Sequence, residues 1–162
     1  MVPTLELVRA IADTVKVPVI AAGGLMDGRD IASALKAGAS AAQLGTAFLV
    51  CPESGAPDAH KRAILAAKED TTAITRAFSG RPARGLKNGF MASVDGKDFI
   101  LPYPLQNALT RPMRTAAAQQ GLADYLSLWA GQGVVRARAM PAADLFARLV
   151  EELAASRVTL NT

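Results

Sequence analysis

Two short apolar runs, each closed by glycine and separated by one amphipathic segment, constrain this chain more than any other feature. Val17-Pro18-Val19-Ile20-Ala21-Ala22 ends at Gly23-Gly24, and Ala41-Ala42-Gln43-Leu44 ends at Gly45-Thr46. A continuous apolar run of this length, following an amphipathic helix, reads as a buried strand of a parallel sheet. Pro18 sits near the start of its run, where a missing N–H is tolerated. Between the runs, Asp27 is a good N-cap, residues 28–37 carry Ile31, Ala34 and Leu35 on one side, and Gly38 stands where a helix C′ residue belongs. Upstream, Thr4 is placed to cap a helix over residues 5–15, with Leu5, Val8, Ile11, Ala12 and Val15 as its apolar face and Lys16 at its end. Helix, strand, helix, strand with short connections predicts a parallel α/β sheet with crossover helices.

The rhythm changes after residue 50. Residues 58–68 read as helical, 71–78 as extended, 79–89 as a stretch rich in Gly, Arg and Pro, and 92–104 as loop with a turn at Asp95-Gly96. Helices are expected over 105–120, with a bend at Pro112, and over 123–129. A loop comes next at Gly131-Gln132-Gly133. Pro141 then opens a last helix, 141–155, with Leu145, Leu149, Val150 and Leu153 as its buried stripe. The expected fold class is therefore α/β: residues 1–70 as the last strands of a (β/α)8 TIM barrel, residues 71–162 as a mainly helical extension. A complete barrel takes about 250 residues. With 162 residues the chain reads as a partial barrel, and as a truncated or fragmentary product.

Composition excludes several functions. The chain is 51% apolar and 20% charged, which reads as globular rather than disordered. It contains no run of about 18 apolar residues for a membrane span and no secretory signal pattern. Cys51 is the only cysteine and His60 the only histidine, so an internal disulfide and a Cys- or His-rich metal site are excluded. These features point to the cytoplasm. The net charge of +4 comes from the second half. Arg76, Arg81, Arg84 and Lys87 lie close in sequence without interleaved aromatics, which argues against nucleic acid and for solvated charge or attraction of a small anion. Cys51 is expected to be a small buried residue, Trp129 to pack in the core, and His60 to lie on a surface helix without a catalytic role.

The chemistry resides at the two strand ends. In adjacent parallel strands, both glycine turns project from the same carboxyl edge. Glycine lets backbone N–H groups approach an anion with no Cβ in the way. A helix starting at Thr46 would add N-terminal donors and a positive dipole end, and Thr46 adds a hydroxyl. Such a pair forms a phosphate cradle of the kind barrels build after their last two strands.

Val17 to Gly24, Asp27-Gly28-Arg29, Gly38-Ala39 and Gln43-Leu44-Gly45-Thr46-Ala47-Phe48-Leu49 together resemble the FMN-phosphate region of the nitronate monooxygenases, formerly 2-nitropropane dioxygenases. The resemblance continues through Thr75 to Gly85, Tyr103-Pro104-Leu105 and Leu128 to Gln132. It implies an FMN-dependent enzyme that oxidises alkyl nitronates with molecular oxygen. Gly24, Gln43, Leu44, Gly45 and Thr46 would contact the FMN phosphate, with Gly23 adjacent. The family's catalytic histidine belongs to a glycine-rich stretch upstream of the matched region, so no catalytic residue is assigned in this chain. Some members carry Tyr-Pro-x-x-Tyr-x-x-x-Lys in the site; here Tyr103-Pro104 is kept, while Asn107 and Arg111 replace the tyrosine and lysine. Tyr103, Asn107 and Arg111 are thus candidate substrate-pocket residues, with a substrate other than a simple nitronate as an option. Two alternatives stand beside this one. The first is a related FMN barrel reductase acting on quinones or enoyl thioesters with a nicotinamide cofactor. The second is an inactive remnant or partner subunit that binds an anion or self-associates through open sheet edges.

Overall fold

The structure is a computed structural model that describes residues 2–158, with side chains through 156. In chain order the elements are α1 (Thr4–Ala12), β1 (Ile20–Ala22), α2 (Gly28–Lys36), β2 (Ala41–Gln43), α3 (Thr46–Leu49), α4 (Asp58–Leu65), β3 (Thr72–Thr75), β4 (Ala83–Leu86), α5 (Gly89–Val94), α6 (Leu105–Gln120) and α7 (Ala142–Val158). They form two compact units: residues up to Ser54 with those from Arg136 onward, and Gly55–Val135. No helix among the described residues is long and apolar enough to cross a membrane.

In the first unit β1 and β2 pair in parallel, Ile20 opposite Ala41 and Ala22 opposite Gln43. The Ser40 N–H donates to the Val19 carbonyl at 2.8 Å and prolongs the ladder. Alternation along so short a sheet sorts its residues. Ala21 is buried with Val8, Leu25, Ala34, Ala37 and Ala39, and Leu5, Ala42 and Leu44 pack against them. The small side chains allow the helices to approach closely. The expectation of a buried strand is corrected at Ile20, which is 62% exposed, because only one side of the sheet is covered by these helices.

The ends of α1 also differ from expectation. Pro3, not Thr4, is the N-cap, and the Thr4 hydroxyl instead donates to the Gly23 carbonyl at 2.9 Å. The helix stops at Ala12 rather than residue 15. The Asp27 cap of α2 holds, its carboxylate accepting from the Asp30 N–H at 2.9 Å. Gly38 has φ +103°, the left-handed conformation a helix stop requires.

Helix α7 packs along α2. Met26, Ala47, Cys51, Leu145 and Leu149 form the second core of this unit, so Cys51 is buried as expected. Leu145 and Leu149, four residues apart, point inward, whereas Val150 is half exposed because one residue turns it about 100° round the helix. The predicted stripe is corrected at that position. Glu53 accepts the Ala142 N–H at 3.1 Å and caps the helix.

The second unit holds an antiparallel hairpin that the sequence does not announce: β3 and β4 pair Thr72 with Leu86 and Thr75 with Ala83. The expected helix over 123–129 is reduced to a 3-10 turn at Ala123–Tyr125. The residues after it are drawn to β4 instead. The Leu86 N–H donates to the Leu128 carbonyl at 2.9 Å and the Ala130 N–H to the Arg84 carbonyl at 3.2 Å. Part of the expected 92–104 loop is α5, capped by Asn88, whose side chain accepts from the Met91 N–H and donates to the Ala123 and Leu126 carbonyls. Helix α6 spans its predicted range with Pro112 inside it. It is tied down by buried polar groups: Gln106 donates to the Ala77 carbonyl and Thr110 to the Phe78 carbonyl, both at 2.6 Å. Phe78 is fully buried against Phe90, 4.9 Å away, and the edge of Trp129, 5.7 Å away. The packing role expected of Trp129 holds.

Gly28 sets the α2–α7 distance, since a Cβ there would collide with the Glu152 Cβ and the Leu153 backbone nitrogen. Replacing it with alanine, Gly28→Ala, is expected to destabilise the chain by roughly 1–3 kcal/mol, the usual cost of overpacking. Urea denaturation followed by far-ultraviolet circular dichroism checks this; an unchanged midpoint would contradict the close approach.

Candidate functional site

Parallel pairing places Ala22 beside Gln43, so Gly23-Gly24 and Leu44-Gly45-Thr46 leave the sheet at one edge. Gly23 has φ +111° and Gly24 φ +76°, a region side chains rarely enter. A Cβ placed at Gly24 or at Gly45 would meet nothing within 4 Å. Both turns therefore border open space. Gly45 is the residue before α3, and its carbonyl accepts the Phe48 N–H at 3.0 Å. Gly23, Gly24, Gln43 and Gly45 are exposed, while Leu44 and Thr46 are half-buried. Leu44 packs against both cores of the unit and fixes the second turn. The six residues named from the sequence are thus brought to one edge. Main-chain amides, a hydroxyl and room for an anion are a donor set that suits a phosphate.

A charged brace holds the first turn, and sequence periodicity gives no sign of it. The Arg136 guanidinium donates to the Gly24 carbonyl at 3.2 Å and pairs with Asp27 at 3.1 Å and Asp30 at 2.8 Å. Asp30 also accepts the Met26 N–H at 2.7 Å. A parallel contact joins α7 to α2: Glu152 accepts the Gly28 N–H at 2.9 Å and pairs with Arg138 at 2.6 Å. Burial works against the Asp27 carboxylate, but the Asp30 amide, Arg136 and Arg29 outweigh it and hold its pKa below the ordinary 3.8. Glu152 is likewise opposed by burial and held below its ordinary 4.5 by Arg138 and the Gly28 amide. The hydrogen bond from Arg136 to Asp30, with the charge of both aspartates, raises the arginine's pKa further.

The second unit carries the other candidates. Tyr103 is half exposed, with the Arg81 guanidinium 4.4 Å over its ring. Gly80, at φ +80°, makes this possible: a side chain there would strike the backbone of residues 101–103. Asn107 and Arg111, one turn apart on α6, share a side of that helix. Both the Asn107 carbonyl and its Oδ1 accept from Arg114, at 2.9 and 2.8 Å. Arg84 donates to the Thr72 hydroxyl across the hairpin at 3.1 Å, a structural use. The expectation for His60 is corrected. It is only 8% exposed, because its side of α4 faces the interior; burial lowers its pKa below 6.5, a hydrogen bond to the Trp129 backbone partly opposing this.

Residues 2–152 match the sequence profile of the family described as Nitronate monooxygenase. Among curated relatives, a nitronate monooxygenase of Pseudomonas aeruginosa is 48% identical over 152 residues, covering 93% of this chain and 43% of the relative. A probable nitronate monooxygenase of Bacillus subtilis is 47% identical over 131 residues, 80% of this chain and 38% of the relative. The chain thus spans less than half the length of these relatives. Among solved structures, a nitroalkane oxidase from Streptomyces ansochromogenes superposes with a TM-score of 0.93 at 48% identity, covering 98% of this chain and 46% of that one. FabK from Thermotoga maritima superposes with a TM-score of 0.84 at 30% identity, covering 99% of this chain and 52% of that one.

The carboxylates of the brace set an acid limit. With folded pKa values below 3.8 for Asp27 and 4.5 for Glu152, their contribution is complete above those values and is lost as pH falls through the lower folded ones. Stability is expected to hold from neutrality to about pH 5 and then to decline. The double variant Asp27→Asn, Glu152→Gln should start less stable and lose less on acidification. Urea midpoints at pH 6 and pH 3 test this; equal losses in both proteins would rule the brace out as the acid-sensitive element.

Proposed function

The chain belongs to the nitronate monooxygenase family, and from that premise we propose that it carries the phosphate-holding end of an FMN-dependent oxidoreductase that oxidises alkyl nitronates with molecular oxygen. The observation that carries the proposal is the convergence of two glycine turns on one sheet edge, each with space where a Cβ would sit. On this reading Gly23, Gly24, Gln43, Leu44, Gly45 and Thr46 hold the FMN phosphate, and β1 and β2 are late strands of a (β/α)8 barrel. Bound FMN supplies the redox chemistry. The chain's own residues bind and orient it through main-chain amides, and the Arg136 brace keeps the Gly24 turn in place. Tyr103, Asn107 and Arg111 are the proposed substrate-pocket residues. His60 takes no catalytic part, and the base is assigned to the family's upstream glycine-rich stretch.

A second reading keeps the flavin and changes the reaction to nicotinamide-dependent reduction of a quinone or enoyl thioester. It is favoured by Asn107 and Arg111 at the tyrosine and lysine positions, and by the engagement of Asn107 with Arg114. A third reading, binding of an anion or a second copy without turnover, is supported by the exposure of Ile20 on the sheet and of Val17 just before it. Oxygen uptake with a nitronate, compared with NADH oxidation in the presence of a quinone, separates the three in the intact protein that contains this segment.

Gly45→Val is the sharper test of the site. Nothing lies within 4 Å of the added Cβ, so folding is expected to survive, while the side chain enters the space given to the phosphate. FMN affinity should fall at least about tenfold, the scale of one lost charge-assisted hydrogen bond. Flavin fluorescence titration measures it. Unchanged affinity in a folded variant would place the phosphate elsewhere.

A further inference from the structure

A cavity of about 380 Å³ lies within the second unit. Helix α6 supplies Arg111, Thr115 and Gln119, spaced four residues apart on one face, with Arg114 in the adjacent row; α4 supplies His60, and Ser127 completes the polar wall.

The charges of this cavity are not balanced by protein. Neither Arg111 nor Arg114 forms a salt bridge among the described residues. Burial, and then the charge of Arg111, disfavour the charged form of Arg114, as expected of two cations with no anion near them. Arg114 spends its Nη2 on Asn107, but its Nε is buried without an acceptor. His60, more than nine-tenths buried, hydrogen-bonds to the Trp129 backbone in the sense that favours the protonated ring, so the imidazole is the donor in that bond. Its Nε2 is buried with no partner and, in the neutral ring, offers a lone pair. The great majority of buried polar groups are satisfied, and here the residues that line one cavity include a buried donor and a buried acceptor without partners and two cations without a counter-charge among the described residues.

We propose that this cavity binds a small oxyanion that retains a hydroxyl, hydrogen phosphate being the simplest example and a 2-hydroxycarboxylate the carboxylate counterpart. The anionic oxygens would accept from Arg111 and Arg114, and the ligand's own O–H would donate to His60 Nε2. A fully deprotonated anion of equal size satisfies the guanidinium groups but leaves the imidazole lone pair facing an oxygen. The inference shares Arg111 with the proposed substrate pocket, but it does not need the flavin reading, since its donors are side chains of the second unit rather than the amides of the glycine turns.

Because His60 is the only histidine, the chain prepared without a histidine tag reports on the site by itself. Its imidazole nitrogen signals, followed by nuclear magnetic resonance at a fixed pH of about 7.5 (above the ordinary histidine range), are titrated with inorganic phosphate, sulfate, glycolate and acetate. The expected result is that the hydroxyl-bearing member of one pair binds about tenfold more tightly than its partner. The Nε2 signal should move from a free lone pair toward a hydrogen-bonded one. Phosphate over sulfate identifies a phosphoryl ligand, and glycolate over acetate a carboxyl one. Arg111→Gln, at an exposed position, should weaken that binding by about tenfold. Equal binding within both pairs, no response of His60 to any of the four, or full affinity in Arg111→Gln each overturns the proposal. Flavin binding is not the readout, so failure here leaves the glycine-turn assignment standing, and failure there leaves this one standing.

Discussion

Three residue pairs of parallel β-ladder govern the candidate cofactor site. With Ala22 opposite Gln43, the chain emerges from both strands at the same edge, and the residues just beyond each strand become part of one surface. An antiparallel pairing of the same two runs would send the turns to opposite ends, and no arrangement of glycines could then make them act together. A crossover helix between the two strands carries the chain back to the starting edge and so permits the parallel choice, and α2 is that crossover. Its packing therefore governs the geometry of the site.

That packing is secured by charge as well as by apolar contact. Asp27 is at once the cap of α2 and a partner of Arg136, and Arg136 reaches on to the Gly24 carbonyl. One arginine from far along the chain thus joins the helix cap to the glycine turn. Individual exposed ion pairs contribute little, but here the carboxylates also accept backbone N–H groups, so losing one would leave a buried amide unpaired. At Gly28 the absence of a side chain lets α7 come close enough for Glu152 to accept its N–H.

The second unit solves a different problem. Its hairpin is completed by residues 128–130, and its helix α6 is held by Gln106 and Thr110, buried polar residues that bond to carbonyls of the segment after β3. Those interactions are satisfied. The cavity beside them is not, and the contrast between fully bonded and orphaned polar groups in one unit singles out the second set as a place for a ligand.

Periodicity and turn chemistry made α1, β1, α2, β2, α6 and α7 legible, because each is announced by residues within a few positions of itself: an Asp cap, a glycine stop, an apolar repeat. The six residues of the glycine turns were legible for the same reason. The features that the sequence did not disclose depend on partners far along the chain. Residues 123–129 carry a helical pattern, but β4 takes 128–130 into its ladder. His60 looks like a lone surface histidine until α4 is seen to turn it inward toward the Trp129 backbone. Arg136 is one of many arginines until folding sets it between Asp27, Asp30 and Gly24. Local rules determine which segments can be helix or strand, because backbone geometry is decided over a few residues. Burial, pairing and charge compensation were decided only by the tertiary structure, because they depend on distances that no spacing along the chain encodes.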